Sequence, residues 1–223
     1  MSARLRFGER EVAADAFEEA ARRAAAGFEQ LGVGEGDVVC ILLPNGIAFL
    51  EAMFGARLLG AYACPINWHY KADEAGWMLS DSGAKLLVTD AALRAQIEGG
   101  IPANVAVVTD HSWRHPPWCG EPRRPRMAMP YTSGTTGRAK GVRRISPPAA
   151  EAAAMEALLR EGFGYVHGLE PGMRALLSAP LYHSAPTGYA TQVMLNGALL
   201  VLEERFDAER TLALIQDLKL THA

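Results

Sequence analysis

Apolar residues along the chain fall into two kinds of run that take turns. Phe17, Ala20, Ala21, Ala24, Phe28 and Leu31 recur at helical spacing, with Asp15 and Glu18 placed as N-cap and N3 and Gly32 as the stop. Residues 38–43 follow as an unbroken apolar stretch, as expected of a strand buried on both faces. Pro44-Asn45-Gly46 interrupts it ahead of a second helix carrying Ile47, Leu50, Phe54 and Leu58, which Gly60 closes. The cycle repeats with a strand at 61–65, a helix at 72–80, a strand at 85–89, a short helix and a strand at 105–109. Residues 111–126 hold four prolines and no periodicity, and are read as a solvated connector. Beyond it the pattern predicts a strand at 127–131, a Gly/Thr-rich loop, a helix over 149–162, a strand at 174–179, another helix, a strand at 198–202 and a helix over 207–218.

Strand-length runs alternating with helices imply an α/β fold: doubly wound, mostly parallel sheets flanked by helices. The divisions expected are a first α/β subdomain over 1–110, the linker at 111–126 and a second α/β segment over 127–223. At 223 residues and 49% hydrophobic, the chain is long and apolar enough for a sizeable core. A formal net charge of -3, with basic residues spread along the chain, provides no footprint for nucleic acid or anionic lipid, so a small-molecule ligand is the default. Cys40, Cys64 and Cys119 are odd in number and lack metal-ligand spacing, which points to a cytoplasmic protein without disulfides. Residues 1–8 alternate charged and apolar positions and so do not read as a secretory signal. No apolar run reaches membrane-spanning length.

The stretch that carries chemistry is Tyr131-Thr132-Ser133-Gly134-Thr135-Thr136-Gly137-Arg138-Ala139-Lys140-Gly141-Val142. Glycines let backbone N–H groups turn toward an anion, Ser and Thr hydroxyls donate to phosphate oxygens, and a lysine offsets charge on the outer phosphates. It is not a Walker A loop, because Ala139 precedes Lys140 and Gly141 follows it. The order of residues resembles the signature of the adenylate-forming superfamily, which includes acyl-CoA synthetases, luciferases and peptide-synthetase adenylation domains. Eleven of the twelve positions agree; Ala139 stands where the family usually has proline. Losing that proline removes no donor, and leaves the unbound loop less preorganised. The resemblance implies that Thr132, Ser133, Gly134, Thr135, Thr136, Gly137 and Lys140 hold the β- and γ-phosphates of ATP and then pyrophosphate, with Lys140 acting in catalysis as well.

The likeness runs along the chain. Residues 31–39 with Leu43-Pro44-Asn45, residues 60–67, and Asp81-Ser82-Gly83-Ala84-Lys85 resemble family segments in order and spacing. Ala179-Pro180-Leu181-Tyr182-His183 follows an apolar strand, as ligand-binding segments do in open parallel sheets, and resembles a family motif whose histidine sits near the acyl pocket. That implies a role for His183 on the carboxylate side. Ala185, Thr187, Gly188 and Ala190 suit either an acyl tunnel or helix packing. Trp68, His69, Tyr70 and Lys71 are read as an ordinary strand-to-helix connection.

The resemblance implies ATP-dependent activation of a fatty or aryl carboxylic acid to an acyl-adenylate, then transfer to coenzyme A or a carrier-protein thiol. ATP, Mg²⁺ and CoA are the implied cofactors and co-substrates, with the Mg²⁺ ligands mostly outside these residues and no metal site within them. Family segments for adenine, ribose and the C-terminal small domain do not occur here, so these residues read as the front part of such an enzyme, inactive alone and prone to self-association through an uncovered sheet edge. The alternatives are a non-catalytic ATP- or pyrophosphate-binding protein and a partner-binding scaffold.

Overall fold

The computed structural model describes residues 1–132, 138–144, 149–168 and 170–223. In chain order these form β1 (Arg4–Phe7), β2 (Arg10–Val12), α1 (Ala14–Gln30), β3 (Val38–Leu42), α2 (Ile47–Leu58), β4 (Tyr62–Pro65), α3 (Ala72–Asp81), β5 (Ala84–Thr89), α4 (Ala91–Ile97) and β6 (Ala106–Val108). They continue with β7 (Tyr131–Thr132), β8 (Lys140–Gly141), α5 (Ala149–His167), β9 (Arg174–Leu177), α6 (Ser184–Asn196), β10 (Leu199–Leu202) and α7 (Ala208–Leu218). The α/β class read from the periodicity is the class observed. Contacts divide the chain into one unit of Met1–Glu18, Asn45–Ile47 and Ser146–Ala223, and another of Glu19–Pro44 and Ala48–Ile145. These divisions fall elsewhere than at 111–126, because the first strands join residues far along the chain.

The unit of Glu19–Pro44 and Ala48–Ile145 holds a parallel sheet in the order β4-β3-β5-β6. Every residue of β3 is buried, as an unbroken apolar run demands of a central strand. Asp37 ties down the turn before it, accepting from the Gly34 amide at 2.7 Å and from Lys85 Nζ at 3.0 Å. Residues 111–126 are irregular, but they do not form the solvated connector expected. Trp113 and Trp118 are buried, and their indoles donate to Glu51 at 2.6 Å and Glu29 at 2.9 Å. The Trp118 amide donates to the Arg22 carbonyl at 3.1 Å, and Arg22 Nη1 donates back to the Trp118 carbonyl at 3.0 Å. Indoles inside a proline-rich stretch seek apolar cover, and α1 supplies it.

The strand expected at 127–131 shrinks to Tyr131–Thr132. Pro125 and Pro130 lack the N–H a ladder needs. The chain instead follows β4 loosely in the same direction, with the Arg123 amide on Leu58 O, Arg126 Nε on Gly60 O and the Met129 amide on Ala63 O.

The other unit holds the sheet β2-β1-β10-β9, in which β1 and β9 flank β10 in parallel and β2 folds back on β1. Neither β1 nor β2 was expected from the pattern. Leu176, Leu199, Val201 and Leu214 form its apolar centre, placing α7 over the sheet. At the outer side of β9, Ala175 bridges His222, whose carbonyl accepts from the Leu176 amide at 2.9 Å.

Two helix ends also differ from expectation. Asp15 lies inside α1, where its carboxylate accepts from the Ala16 amide at 2.8 Å, so Ala13 occupies the cap position. Helix α5 runs through Gly162 to His167 and stops at Gly168, whose φ of +66° suits a left-handed terminator.

Candidate functional site

Ser133, Gly134, Thr135, Thr136 and Gly137 lie outside the described residues. The two feet of their loop do not. Strands β7 and β8 pair antiparallel, Tyr131 opposite Gly141 and Thr132 opposite Lys140, and the Val142 amide donates to the Pro130 carbonyl at 2.9 Å. Thr132 and Lys140 are thus neighbours across a short ladder, both exposed. Gly141 sits tightly there: a Cβ would come within 2.5 Å of the Met129 Cε, which can move aside, and 3.0 Å of the Tyr131 ring, whose hydroxyl is held by Asp81. The chain reaches β7 by following β4 toward its carboxyl end, the end at which open parallel sheets bind ligands.

Both feet rest on α3. The Tyr131 hydroxyl donates to Asp81 Oδ2 at 2.7 Å. Burial, and then this bond to a carboxylate, push its phenol well above the usual tyrosine range, so it stays a donor at all ordinary pH. At the other foot, Trp77 Nε1 donates to the Ala139 carbonyl at 3.1 Å, and the Arg138 guanidinium lies 4.9 Å from the Trp77 ring centroid.

The field around the feet is positive. Among the described residues no carboxylate pairs with Lys140, Arg143 or Arg144, and Arg138 has only Asp73 at 3.6 Å, with both side chains well exposed. Arg143 stacks on Tyr62 at 5.2 Å from its centroid and Arg126 at 4.9 Å, while the Tyr62 hydroxyl donates to the Arg144 carbonyl at 3.0 Å. These contacts fix the backbone that leaves β8, and among the described residues the cations Arg138, Lys140, Arg143 and Arg144 near the feet outnumber the carboxylates Asp73 and Asp81. A site of that sign concentrates polyanions.

His183 belongs to the other unit, where it caps α6 with extended backbone (φ −91°, ψ 147°) and an exposed ring tilted against Tyr182 at 4.5 Å. The sequence reading missed what holds this segment. Asn45, buried, donates through Nδ2 to the Ala179 and Glu203 carbonyls at 3.0 Å each, and its Oδ1 accepts from the Leu181 amide at 2.8 Å. It thereby joins the ends of β9 and β10 and sets the turn that presents His183. The signal available was Asn45 in Leu43-Pro44-Asn45, which the residue pattern marks as a strand breaker and the family resemblance as a matching segment, neither of which names its partners. Thr187 and Ala190 are fully packed, Thr187 donating to the His183 carbonyl at 2.8 Å, so these two serve helix packing, while Ala185 is exposed.

A hollow of about 380 Å³ lies between α1 and residues 107–115, but its rim charges Asp110 and Arg114 pair with each other at 3.4 Å. Among the described residues no group of three or more His, Cys, Asp or Glu could hold a metal ion, so nothing here is assigned to Mg²⁺. Among them, too, no helix is long and apolar enough to cross a membrane. The thiols of Cys40, Cys64 and Cys119 are free.

Fold and loop together define an α/β protein of the adenylate-forming class. The chain belongs to the AMP-binding enzyme family, whose model matches residues 4–223. It is similar to the 4-coumarate-CoA ligase 1 of Narcissus pseudonarcissus, 29% identical over 228 residues that cover 92% of this chain and 40% of the relative. The 2-succinylbenzoate--CoA ligase of Bacillus licheniformis is 30% identical over 212 residues, covering 91% and 42%. Among solved structures, a Mycobacterium tuberculosis fatty acyl CoA synthetase matches with a TM-score of 0.79 at 25% identity, over 96% of this chain and 44% of its own. The chain therefore spans about two fifths of the length of the curated relatives it matches.

Proposed function

We propose that these residues form the polyphosphate-binding part of an ATP-dependent ligase that joins a fatty or aryl carboxylic acid to the thiol of coenzyme A. The observation that carries this reading is the pair of loop feet fixed on one helix, Thr132 beside Lys140, which among the described residues has no carboxylate partner. In the reaction proposed, a carboxylate oxygen attacks the α-phosphorus of ATP, the bond to the bridging oxygen of the β-phosphate breaks, and pyrophosphate leaves. The thiol sulfur then attacks the acyl carbon, losing its proton, and AMP departs. Thr132, Ser133, Gly134, Thr135, Thr136 and Gly137 donate to the β- and γ-phosphates, and Lys140 offsets the charge that builds on pyrophosphate as it leaves. Catalysis of the first step is positioning and charge neutralisation. His183 is assigned to the acyl and carboxylate side by its family motif. The CoA ligases named above support the choice of acceptor.

Because the chain spans two fifths of its relatives, the whole reaction is proposed for an enzyme that contains these residues, and the isolated 223 residues are expected to bind without turnover. Calorimetric titration with inorganic pyrophosphate and with ATP tests the binding. Lys140→Ala is expected to weaken pyrophosphate about tenfold or more, the effect of one charge-assisted hydrogen bond. Equal affinity of parent and variant would overturn the reading.

A second reading, a surface for self-association, is favoured by Leu158, Tyr165 and Val166 on α5, which are 62%, 92% and 70% exposed. Sedimentation velocity tests it, and a monomer at high concentration excludes it.

A further inference from the structure

Helix α3 carries Asp73, Trp77 and Asp81 at intervals of four, which places them along one face. Each touches a foot of the Gly/Thr-rich loop: Asp81 holds the Tyr131 hydroxyl, Trp77 the Ala139 carbonyl, and Asp73 lies 3.6 Å from Arg138. The Asp73 contact is exposed and weak. Trp77 is half-buried, and its indole is committed to the loop twice, by its single N–H and by the ring face that Arg138 covers. Packing alone would be satisfied by an apolar side chain of similar size, whereas the N–H aimed at the carbonyl next to Lys140 does something packing does not ask for. The helix is itself a firm base, since a Cβ at Gly76 would come within 2.5 Å of the Gly100 carbonyl oxygen and the two backbones are in close contact.

We propose that Trp77 is the positioning residue of the phosphate loop: by fixing Arg138 and Ala139 on α3, it sets where Lys140 stands before any ligand arrives. This rests on the loop reading given above and adds the device that orders it. Ala139 is free to sample several backbone conformations, and the indole hydrogen bond supplies the restraint that its own side chain does not. Trp77 acts through Lys140 and touches no substrate.

The experiment compares the parent protein with Trp77→Phe, which keeps a ring for Arg138 and deletes the donor, and Trp77→Leu, which deletes both. Amide hydrogen exchange is read in ligand-free protein at residues 140–142, with β3 as an internal control for the fold. Trp77→Phe is expected to speed exchange at 140–142 about threefold to tenfold and to weaken pyrophosphate binding by a similar factor, with β3 unchanged. Trp77→Leu is expected to do more, about tenfold or beyond. Exchange at 140–142 that rises no more than at β3 in both variants overturns the proposal. If exchange responds as expected while the parent binds no pyrophosphate, the positioning role stands and the phosphate reading falls. If pyrophosphate binds in a Lys140-dependent way but neither variant alters exchange or affinity, the phosphate reading stands and the positioning role falls.

Discussion

The two units of the chain are built from similar parts and assembled in different ways. The unit of Glu19–Pro44 and Ala48–Ile145 is nearly continuous in sequence, and its four parallel strands are supplied in turn by neighbouring β–α steps. The other gathers Met1–Glu18, Asn45–Ile47 and Ser146–Ala223, and inserts the first strand of the chain between β2 and β10. The loop feet belong to the continuous unit, on a helix whose contacts lie within about 70 residues. His183 belongs to the other, and its turn is set by Asn45, whose bonds reach 134 to 158 residues along the chain. Placing the loop's two feet needed only local assembly, whereas presenting His183 needed closure across the sequence.

Four substitutions test this contrast. Leu5→Asp, at a fully buried position of β1, is expected to destabilise by about 5 kcal/mol, since it buries a charge with no partner. Loss of amide protection should centre on Leu199–Leu202 more than on Val38–Leu42, which hydrogen exchange reads residue by residue. Trp113→Ala is expected to cost about 3–5 kcal/mol in urea denaturation, because the indole fills the space beside α1 and engages Glu51. A change under 1 kcal/mol would return residues 111–126 to the status of a linker. Asn45→Ala leaves the Ala179 and Glu203 carbonyls and the Leu181 amide without their partner, for about 2–3 kcal/mol by the same measurement.

The smallest effect belongs to Tyr131→Phe, at under about 1 kcal/mol near neutral pH. Here the pH dependence has a defined sign. The folded phenol titrates higher than the unfolded one, so its contribution is complete below about pH 10 and fades as pH rises toward the folded value. Alkaline denaturation followed at several pH values should be steeper in the parent than in Tyr131→Phe.

Much of this molecule was legible in its residues, and the rest was hidden for physical reasons. The strand at β3 announced itself, since burial on both faces leaves an unbroken apolar run. The family was legible in the residue order of 131–142, and of that stretch the structure shows the two paired ends, Tyr131 opposite Gly141 and Thr132 opposite Lys140. Strand β1 was visible in principle, because Arg4-Leu5-Arg6-Phe7 alternates with period two. That alternation served only to exclude a signal segment, since four residues are a short pattern and the partner that makes them a strand lies at the far end of the chain. Trp113, Trp118 and Asn45 were seen and their partners were not. Composition says that an indole or a carboxamide needs a hydrogen-bonding partner, and only the folded path says that these are Glu51, Glu29 and the ends of β9 and β10.

The register that sets Arg4 against Leu199 also governs birth at the ribosome. Ser2, whose hydroxyl donates to the Gly197 carbonyl, is separated from it by 195 residues. At about 5–20 residues per second the nascent N-terminal ribbon waits roughly 10–40 s before its neighbour emerges from the exit tunnel. Through that interval Leu5 lacks the neighbour that buries it, and the hairpin meets that hazard with charge of both signs along its strands, Arg4 paired with Glu11 and Arg6 with Glu9, a composition that disfavours pairing with foreign strands.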